Sequence, residues 1–405
     1  MKELITLSRT AQLIHETEEY SARNYHPLPV VIARGEGVWV WDVEGRKYLD
    51  MLSAYSALNH GHRHPKIIEA LFAQAETLTL TSRAFHNDKM GPFLKKLCQM
   101  SGYEKALPMN TGAEAVETAI KAARKWGLLH KTVPENNGEI IVCENNFHGR
   151  TTTIISFSSE EQYRFGFGPY TPGFTIIPFG DVEALAAAIT ENTVGFLVEP
   201  IQGEGGVIVP PAGYLKEVRR LTREHDVLLI LDEIQTGLGR TGKLFAFEYE
   251  DAKPDILILG KALGGGVYPV SAVLADDPVM SVFSPGDHGS TFGGNPLGAA
   301  VATRALEVLE EEQLVEQAFA LGGYVREQLR RLNSPRVKEV RGKGLLIGVE
   351  IKEEYGPARG YCEKLMELGI LCKETRRQVI RLAPPLVITR DELDWALERI
   401  ANVLG

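Results

Sequence analysis

Short, wholly apolar runs punctuate this chain, and each stops at polar residues. Val227-Leu228-Leu229-Ile230-Leu231 stops at Asp232-Glu233, and Ile256-Leu257-Ile258-Leu259-Gly260 stops at Lys261. Ala106-Leu107-Pro108-Met109 gives way to Asn110-Thr111-Gly112, Ile140-Ile141-Val142-Cys143 to Glu144, and Gly195-Phe196-Leu197-Val198 to Glu199. Runs this short and this apolar predict buried strands of a parallel sheet. Helical periodicity follows the first of them. Ala115, Val116, Ala119, Ile120, Ala123 and Trp126 share one side, and Lys121, Arg124 and Lys125 the other. Alternation of this kind from residue 56 to 314 predicts an α/β architecture, a mostly parallel sheet with helices on both faces.

The two ends read differently. Residues 8 to 22 suit a helix, and Val38-Trp39-Val40-Trp41 followed by Asp42-Val43-Glu44-Gly45-Arg46 suits a strand and hairpin. After a long helix beginning near Pro296, a new unit contains Val337 to Ile351, punctuated by Gly342, Gly344 and Gly348. It closes with a helix whose Thr389 and Glu392 stand at capping-box spacing and whose Leu393, Leu397, Ile400 and Leu404 face inward. The expected organisation is an N-terminal segment, 1–55, serving the small domain and the substrate site; a large ligand-binding domain, 56–314; and a small α+β C-terminal domain, 315–405. Two loops stand out, 132–138 and the aromatic, glycine-rich 158–172, the second suited to a place near substrate.

Ligands of open α/β sheets bind beyond the carboxyl ends of the strands, so Asp232 and Lys261 converge on such a site. A lysine among Leu259, Gly260, Ala262 and Leu263 is partly desolvated. That favours the neutral, nucleophilic amine and brings its pKa toward roughly 7 to 8. Taken singly, each feature also suits ordinary structure: a solvated lysine, a helix cap, a strand-to-helix turn. A core-only explanation covers the strands but not their repeated polar ends. An imine-forming lysine, an anion for a ring nitrogen, a phosphate cradle and a flat apolar group are what pyridoxal phosphate requires. Gly112 and Ala113 open a helix and fit a phosphate. Phe147 can lie flat on a ring, and Arg150 can hold a carboxylate through two donors.

The motifs Asn110-Thr111-Gly112, Leu231-Asp232-Glu233-Ile234-Gln235-Thr236-Gly237 and Leu259-Gly260-Lys261-Ala262-Leu263 resemble the pyridoxal phosphate aminotransferases that act on ω-amino groups (class III), through nearly the whole chain. Asn24-Tyr25-His26-Pro27-Leu28-Pro29, Ser82-Arg83-Ala84-Phe85, His288 to Pro296 and Ile380 to Leu386 resemble the ornithine-using branch in particular. The resemblance implies the fold type I architecture of pyridoxal phosphate transferases and transfer of the δ-amino group of ornithine to 2-oxoglutarate. It implies that Lys261 carries the cofactor and moves the proton, that Asp232 pairs with the ring nitrogen, that Phe147 stacks and that Gln235 bonds the phenolic oxygen. Gly112 and Ala113 would hold the phosphate, joined by the Ser290-Thr291 pair through Thr291 of the partner subunit, because such sites are shared across a homodimer. Tyr25, Tyr55 and Arg150 would hold substrate, and Glu204 with Arg381 would form a switch, an ion pair near the cleft surface exchangeable for about 1 kcal/mol. His148 stands where relatives also carry tryptophan; it reads as a packing residue able to tune the pocket. Alternatives are donors such as acetylornithine or 4-aminobutyrate, against which the Tyr25 context speaks, and a non-catalytic member, against which Lys261 and Asp232 speak.

Other motifs fail. Gly237-Leu238-Gly239-Arg240-Thr241-Gly242 fits a dinucleotide fingerprint by letter, yet no amphipathic helix begins after it. The alternating His60, His62 and His64 lack a nearby cysteine and suit a surface turn rather than a metal site. The net charge of -9 argues against nucleic acid or anionic membrane as the main partner; amino acids and 2-oxo acids are the partners the resemblance implies. Cys98, Cys143, Cys362 and Cys372 show no metal or redox spacing, as expected of reduced thiols in a cytoplasmic enzyme. Met1 to Thr10 lack a hydrophobic signal core, and no apolar stretch reaches the roughly 18 residues of a membrane span.

Overall fold

The computed structural model describes residues 8–405; the part of the expected N-terminal segment before residue 8 lies outside them. Its centre is a seven-stranded sheet in the order 105–109, 271–275, 256–259, 228–232, 193–198, 139–143, 174–177. All strands run parallel except Ser271–Ala275, which pairs antiparallel with both neighbours. The five apolar runs are five of the seven strands. Leu228–Asp232 and Ile256–Leu259 are buried along their whole length, as a sheet covered on both faces demands.

The helix Gly112–Leu129 buries Ala115, Val116, Ala119, Ile120, Ala123 and Trp126 against one face of this sheet. Helices Pro65–Ala75, Met90–Ser101, Tyr214–Glu224 and Pro296–Glu311 join the larger core. The first helix is Arg9–Tyr20, capped by Ser8. Trp39–Asp42 pairs with Ile32–Glu36 on one side and Lys47–Asp50 on the other. Lys47–Asp50 then pairs in parallel with Ile370–Leu371, so N-terminal and C-terminal stretches share a sheet.

A further four-stranded sheet orders 337–343, 346–351, 379–382, 373–375. The last helix, Arg390–Leu404, carries the capping box Thr389/Glu392, a device worth about 1 kcal/mol. It buries Leu393, Ile400 and Leu404, with Leu397 packed against the core. Among the described residues, no helix is long and apolar enough to cross a membrane.

One expectation needs correction. The histidine turn is not a surface feature: His60 and His64 are buried, held by the Ala305 carbonyl at 2.9 Å and the Glu312 carboxylate at 3.2 Å, while His62 sits 2.8 Å from Asp50. The helix Pro296–Glu311 with its C-cap Glu312 supplies the partners of His60 and His64, and the strand Lys47–Asp50 that of His62, which spacing alone does not reveal. Among the described residues, no cluster suited to a metal ion occurs.

Candidate active site

Beyond the carboxyl ends of the central strands lie two adjoining spaces. One, of about 200 Å³, is lined by Gly112, Ala113, Phe147, His148, Asp232, Gln235 and Lys261, among others. The second is an open cleft of about 700 Å³ that includes Tyr25, Tyr55, Phe147, Arg150, Glu204 and Lys261 in its walls. Phe147 and Lys261 border both. The structure thus brings together all but three of the residues the sequence singled out; one of the three, Arg381, reaches the cleft through Glu204. Ser290 and Thr291 border neither space. Ser290 Oγ accepts from Asn110 Nδ2 at 2.9 Å, and Thr291 is exposed.

Lys261 begins a short 3-10 turn directly after its strand, with φ of 45°. A lysine in the left-handed region is strained by roughly 1–3 kcal/mol, which only surrounding structure can hold. Burial, and then the charge of Arg381, lower its pKa to about 8 against the opposing pulls of Glu204, Asp232 and Glu199. Far more of the amine is therefore neutral near pH 7 than in an ordinary lysine, although the ammonium form still predominates there.

Asp232 ends its strand buried, with Oδ1 accepting from the Ile234 amide at 3.1 Å and Oδ2 lying 2.6 Å from His148 Nδ1. Burial opposes the imidazolium, but the hydrogen bond and charge of Asp232 outweigh it and hold His148 above its ordinary value. The expectation of a mainly packing histidine is thus too modest: its ring is fixed by the acid it touches. Glu199, a strand-end acid given no role from sequence, also borders this space. Its carboxylate accepts from the amides of Phe147 at 3.0 Å and Gly203 at 3.3 Å, and burial raises it to about 7. Glu233 is structural, accepting from the Ala246 and Phe247 amides.

The helix that starts at Gly112 carries the capping box Thr111/Glu114, so its first turn is fixed and its N-terminal dipole end faces the smaller space. A Cβ on Gly112 would meet Ile234 Cδ1 at 2.8 Å, and one on Gly203 would meet Gln235 Oε1 at 2.1 Å. Both glycines make room for a side chain of the site.

Across the cleft, Arg381 Nη1 lies 2.6 Å from Glu204 Oε1, which also accepts from Gln235 Nε2 at 3.0 Å. Burial alone would raise Glu204; Arg381, then Lys261 and Gln235, bring it below the usual carboxylate range. The pair expected near the cleft surface is buried on its arginine side, Arg381 being 1% exposed. Stripping a buried arginine of its partner costs roughly 3–5 kcal/mol rather than 1, so an exchange must be one carboxylate for another. Tyr55 lies 5.5 Å from the Arg381 guanidinium, and burial with the nearby Glu204 raises its phenol, keeping it a neutral donor. It stands in a left-handed turn, Ser53–Ser56, with four consecutive positive φ values, braced by Asp50 accepting from the amides of Leu52 and Ser53.

Sequence reasoning missed Tyr163 and the Glu160–Arg376 ion pair, all bordering the cleft. The aromatic loop 158–172 was the only signal, and it holds a one-turn helix, Glu161–Arg164.

An α/β sheet with a desolvated strand-end lysine, a strand-end acid and a carboxylate-lined cleft defines a group-transfer enzyme site built around an amine. The chain belongs to the class-III aminotransferases: that family's model, "Aminotransferase class-III", matches residues 20–404. It is 61% identical over 398 residues to the ornithine aminotransferase of Brevibacillus brevis, covering 98% of this chain and 99% of that one. The crystal structure of the ornithine aminotransferase from Toxoplasma gondii superposes with a TM-score of 0.97 at 48% identity, covering 98% of this chain and 96% of that one. An acetylornithine aminotransferase structure from Elizabethkingia anophelis superposes with a TM-score of 0.89 at 50% identity, covering 98% and 99%.

Proposed function

We propose that this aminotransferase is an ornithine δ-aminotransferase, moving the δ-amino group of L-ornithine to 2-oxoglutarate to give glutamate 5-semialdehyde and glutamate. The observation that carries the reading is the pair of carboxylate receptors flanking one amine, with Arg381 covered by Glu204 and Arg150 uncovered. The ornithine aminotransferase relatives support it.

Pyridoxal phosphate fits the smaller space. Two buried polar atoms there, His148 Nε2 and Gln235 Oε1, have no partner, and Gly112 and Ala113 bring a helix N-terminus to its wall, which suits a phosphate. Bound there, the cofactor supplies an aldehyde that takes up an amino group and an electron-poor ring that stabilises negative charge on the reacting carbon. Lys261 Nζ would anchor it and move the proton. Asp232, steadied by His148, would keep the ring nitrogen protonated, Phe147 would serve the ring face and Gln235 the phenolic oxygen. Gly112 and Ala113 hold the phosphate with Thr291 of the partner subunit, the hydroxyl-bearing Ser290-Thr291 stretch being placed outside its own cavity. The assembly is a homodimer of the cytoplasm.

Ornithine presents its α-carboxylate to Arg150 and its α-amine to Tyr25, which directs the δ-amine to Lys261. Glu204 keeps Arg381 from receiving that carboxylate in the reverse orientation. Glutamate and 2-oxoglutarate carry a second carboxylate that replaces Glu204 on Arg381 while Arg150 takes the distal one. Donor and acceptor use one cleft in turn, so the kinetics are ping-pong.

The test is a panel of single turnovers with ornithine, acetylornithine, 4-aminobutyrate and lysine, followed by absorbance of the holoenzyme. Ornithine should react fastest by a wide margin. A larger response to acetylornithine, the donor for which the Elizabethkingia relative is named, overturns the substrate assignment.

A further inference from the structure

The two arginines read as carboxylate receptors are supported in opposite ways. Arg381 is paired with a carboxylate, whereas the guanidinium of Arg150 lies 4.2 Å over the ring of Tyr163 and 5.8 Å from that of Phe147. Tyr163 in turn meets Phe147 edge-on, with centroids 6.2 Å apart and an interplanar angle of 78°. An arginine stacked on an aromatic face is held by charge and dispersion, while its N–H donors, all in the guanidinium plane, stay available. An acidic support would orient it too, but would compete with any incoming carboxylate.

Resting on the reading of Arg150 as the distal-carboxylate receptor, we infer that Tyr163 is a positioning residue that keeps Arg150 ready for substrate carboxylates. Tyr163 sits on the one-turn helix Glu161–Arg164. That turn is pinned before it by the ion pair of Glu160 with Arg376, just beyond the strand Lys373–Thr375, and at its end by Tyr170 Oη donating to the Arg164 carbonyl at 2.6 Å. The aromatic shelf beneath Arg150 is therefore fastened in part by Arg376, which lines the same cleft. Arg150 is a standing receptor and Arg381 a covered one. The asymmetry lets a monocarboxylate bind in one orientation while a dicarboxylate engages both ends.

The experiment compares Tyr163→Leu, Tyr163→Phe, Arg150→Gln and the double variant Arg150→Gln/Tyr163→Leu as holoenzymes. Steady-state constants are taken for ornithine and 2-oxoglutarate, and for 1,4-diaminobutane, a donor that lacks the carboxylate. Losing the stack should raise KM for ornithine and 2-oxoglutarate roughly 5- to 30-fold with kcat changed far less. Diaminobutane should be spared, Tyr163→Phe should restore the wild-type KM, and Tyr163→Leu should add little once Arg150 is gone. Equal losses for diaminobutane, failure of phenylalanine to rescue, or full additivity in the double variant would each overturn the inference while leaving the Arg150 reading intact. An Arg150→Gln enzyme with unchanged KM for both carboxylate substrates would instead remove the reading itself, and the inference with it.

Discussion

Arg381 and Glu204 meet at 2.6 Å, a buried guanidinium against a carboxylate that is 26% exposed to the cleft. The exposed partner is the one that can leave, and the buried partner is the one that cannot remain alone. Replacing Glu204 by alanine or glutamine should therefore uncover Arg381. The half-reaction with glutamate should become faster and regiospecificity for the δ-amine of ornithine should drop. Stopped-flow absorbance with each donor checks this, the glutamine variant guarding against loss of fold. Unchanged glutamate kinetics in both variants would mean that the pair only fastens two parts of the chain.

Lys261→Ala should abolish turnover far beyond any pocket variant, because it removes both the anchor and the proton carrier. Borohydride reduction of the holoenzyme and peptide mapping should place the cofactor on Lys261. Modification of another lysine would refute the assignment.

The lowered pKa of Lys261 gives a pH prediction with a definite sign. Burial and Arg381 disfavour the charged amine, so in cofactor-free enzyme trapping of Lys261 by a small aldehyde should rise through about pH 8, not the ordinary 10.5. Glu204 acts the other way, and Glu204→Gln should move the midpoint lower still. A wild-type midpoint near the ordinary value would show that the amine is well solvated.

His148→Phe preserves a ring but removes the bond to Asp232. A hydrogen bond to a charged group is worth about 1.5–3 kcal/mol, so kcat should fall roughly 10- to 100-fold while substrate KM holds. Unaltered kcat would return His148 to a packing role.

Tyr25 is 71% exposed on the cleft wall. Tyr25→Phe should raise the KM for ornithine by roughly fivefold, the value of one modest hydrogen bond, and spare 4-aminobutyrate, which lacks the α-amine. Equal losses for the two donors would make Tyr25 merely structural.

The strands that end at Met109, Cys143, Val198, Asp232 and Leu259 were legible because buried parallel strands must be apolar throughout, leaving their polar ends conspicuous. Phe174–Ile177 was not singled out, and neither was Ser271–Ala275, whose acidic end Asp276-Asp277 lies at the opposite edge of the sheet because this strand runs antiparallel to its neighbours. The site residues on strand ends and helix starts were readable for the same reason. Tyr163 was not, since its partnership with Arg150 depends on how a loop folds back across Phe147. The left-handed turn at Ser53–Ser56 was hidden because Ser-Ala-Tyr-Ser contains no glycine to announce positive φ. Burial of Arg381 was equally hidden: an arginine in a strand reads as polar until the sheet Val337–Lys343, Leu346–Ile351, Val379–Leu382, Lys373–Thr375 closes around it.

The most direct test of the account follows the nitrogen. Ornithine labelled with ¹⁵N at the δ position, and separately at the α position, is turned over with 2-oxoglutarate, and the glutamate formed is analysed by mass spectrometry. Label in glutamate from δ-labelled ornithine and none from α-labelled ornithine is the predicted result. Label arriving from the α position would contradict the arrangement of Arg150, Glu204 and Arg381 on which the proposed function rests.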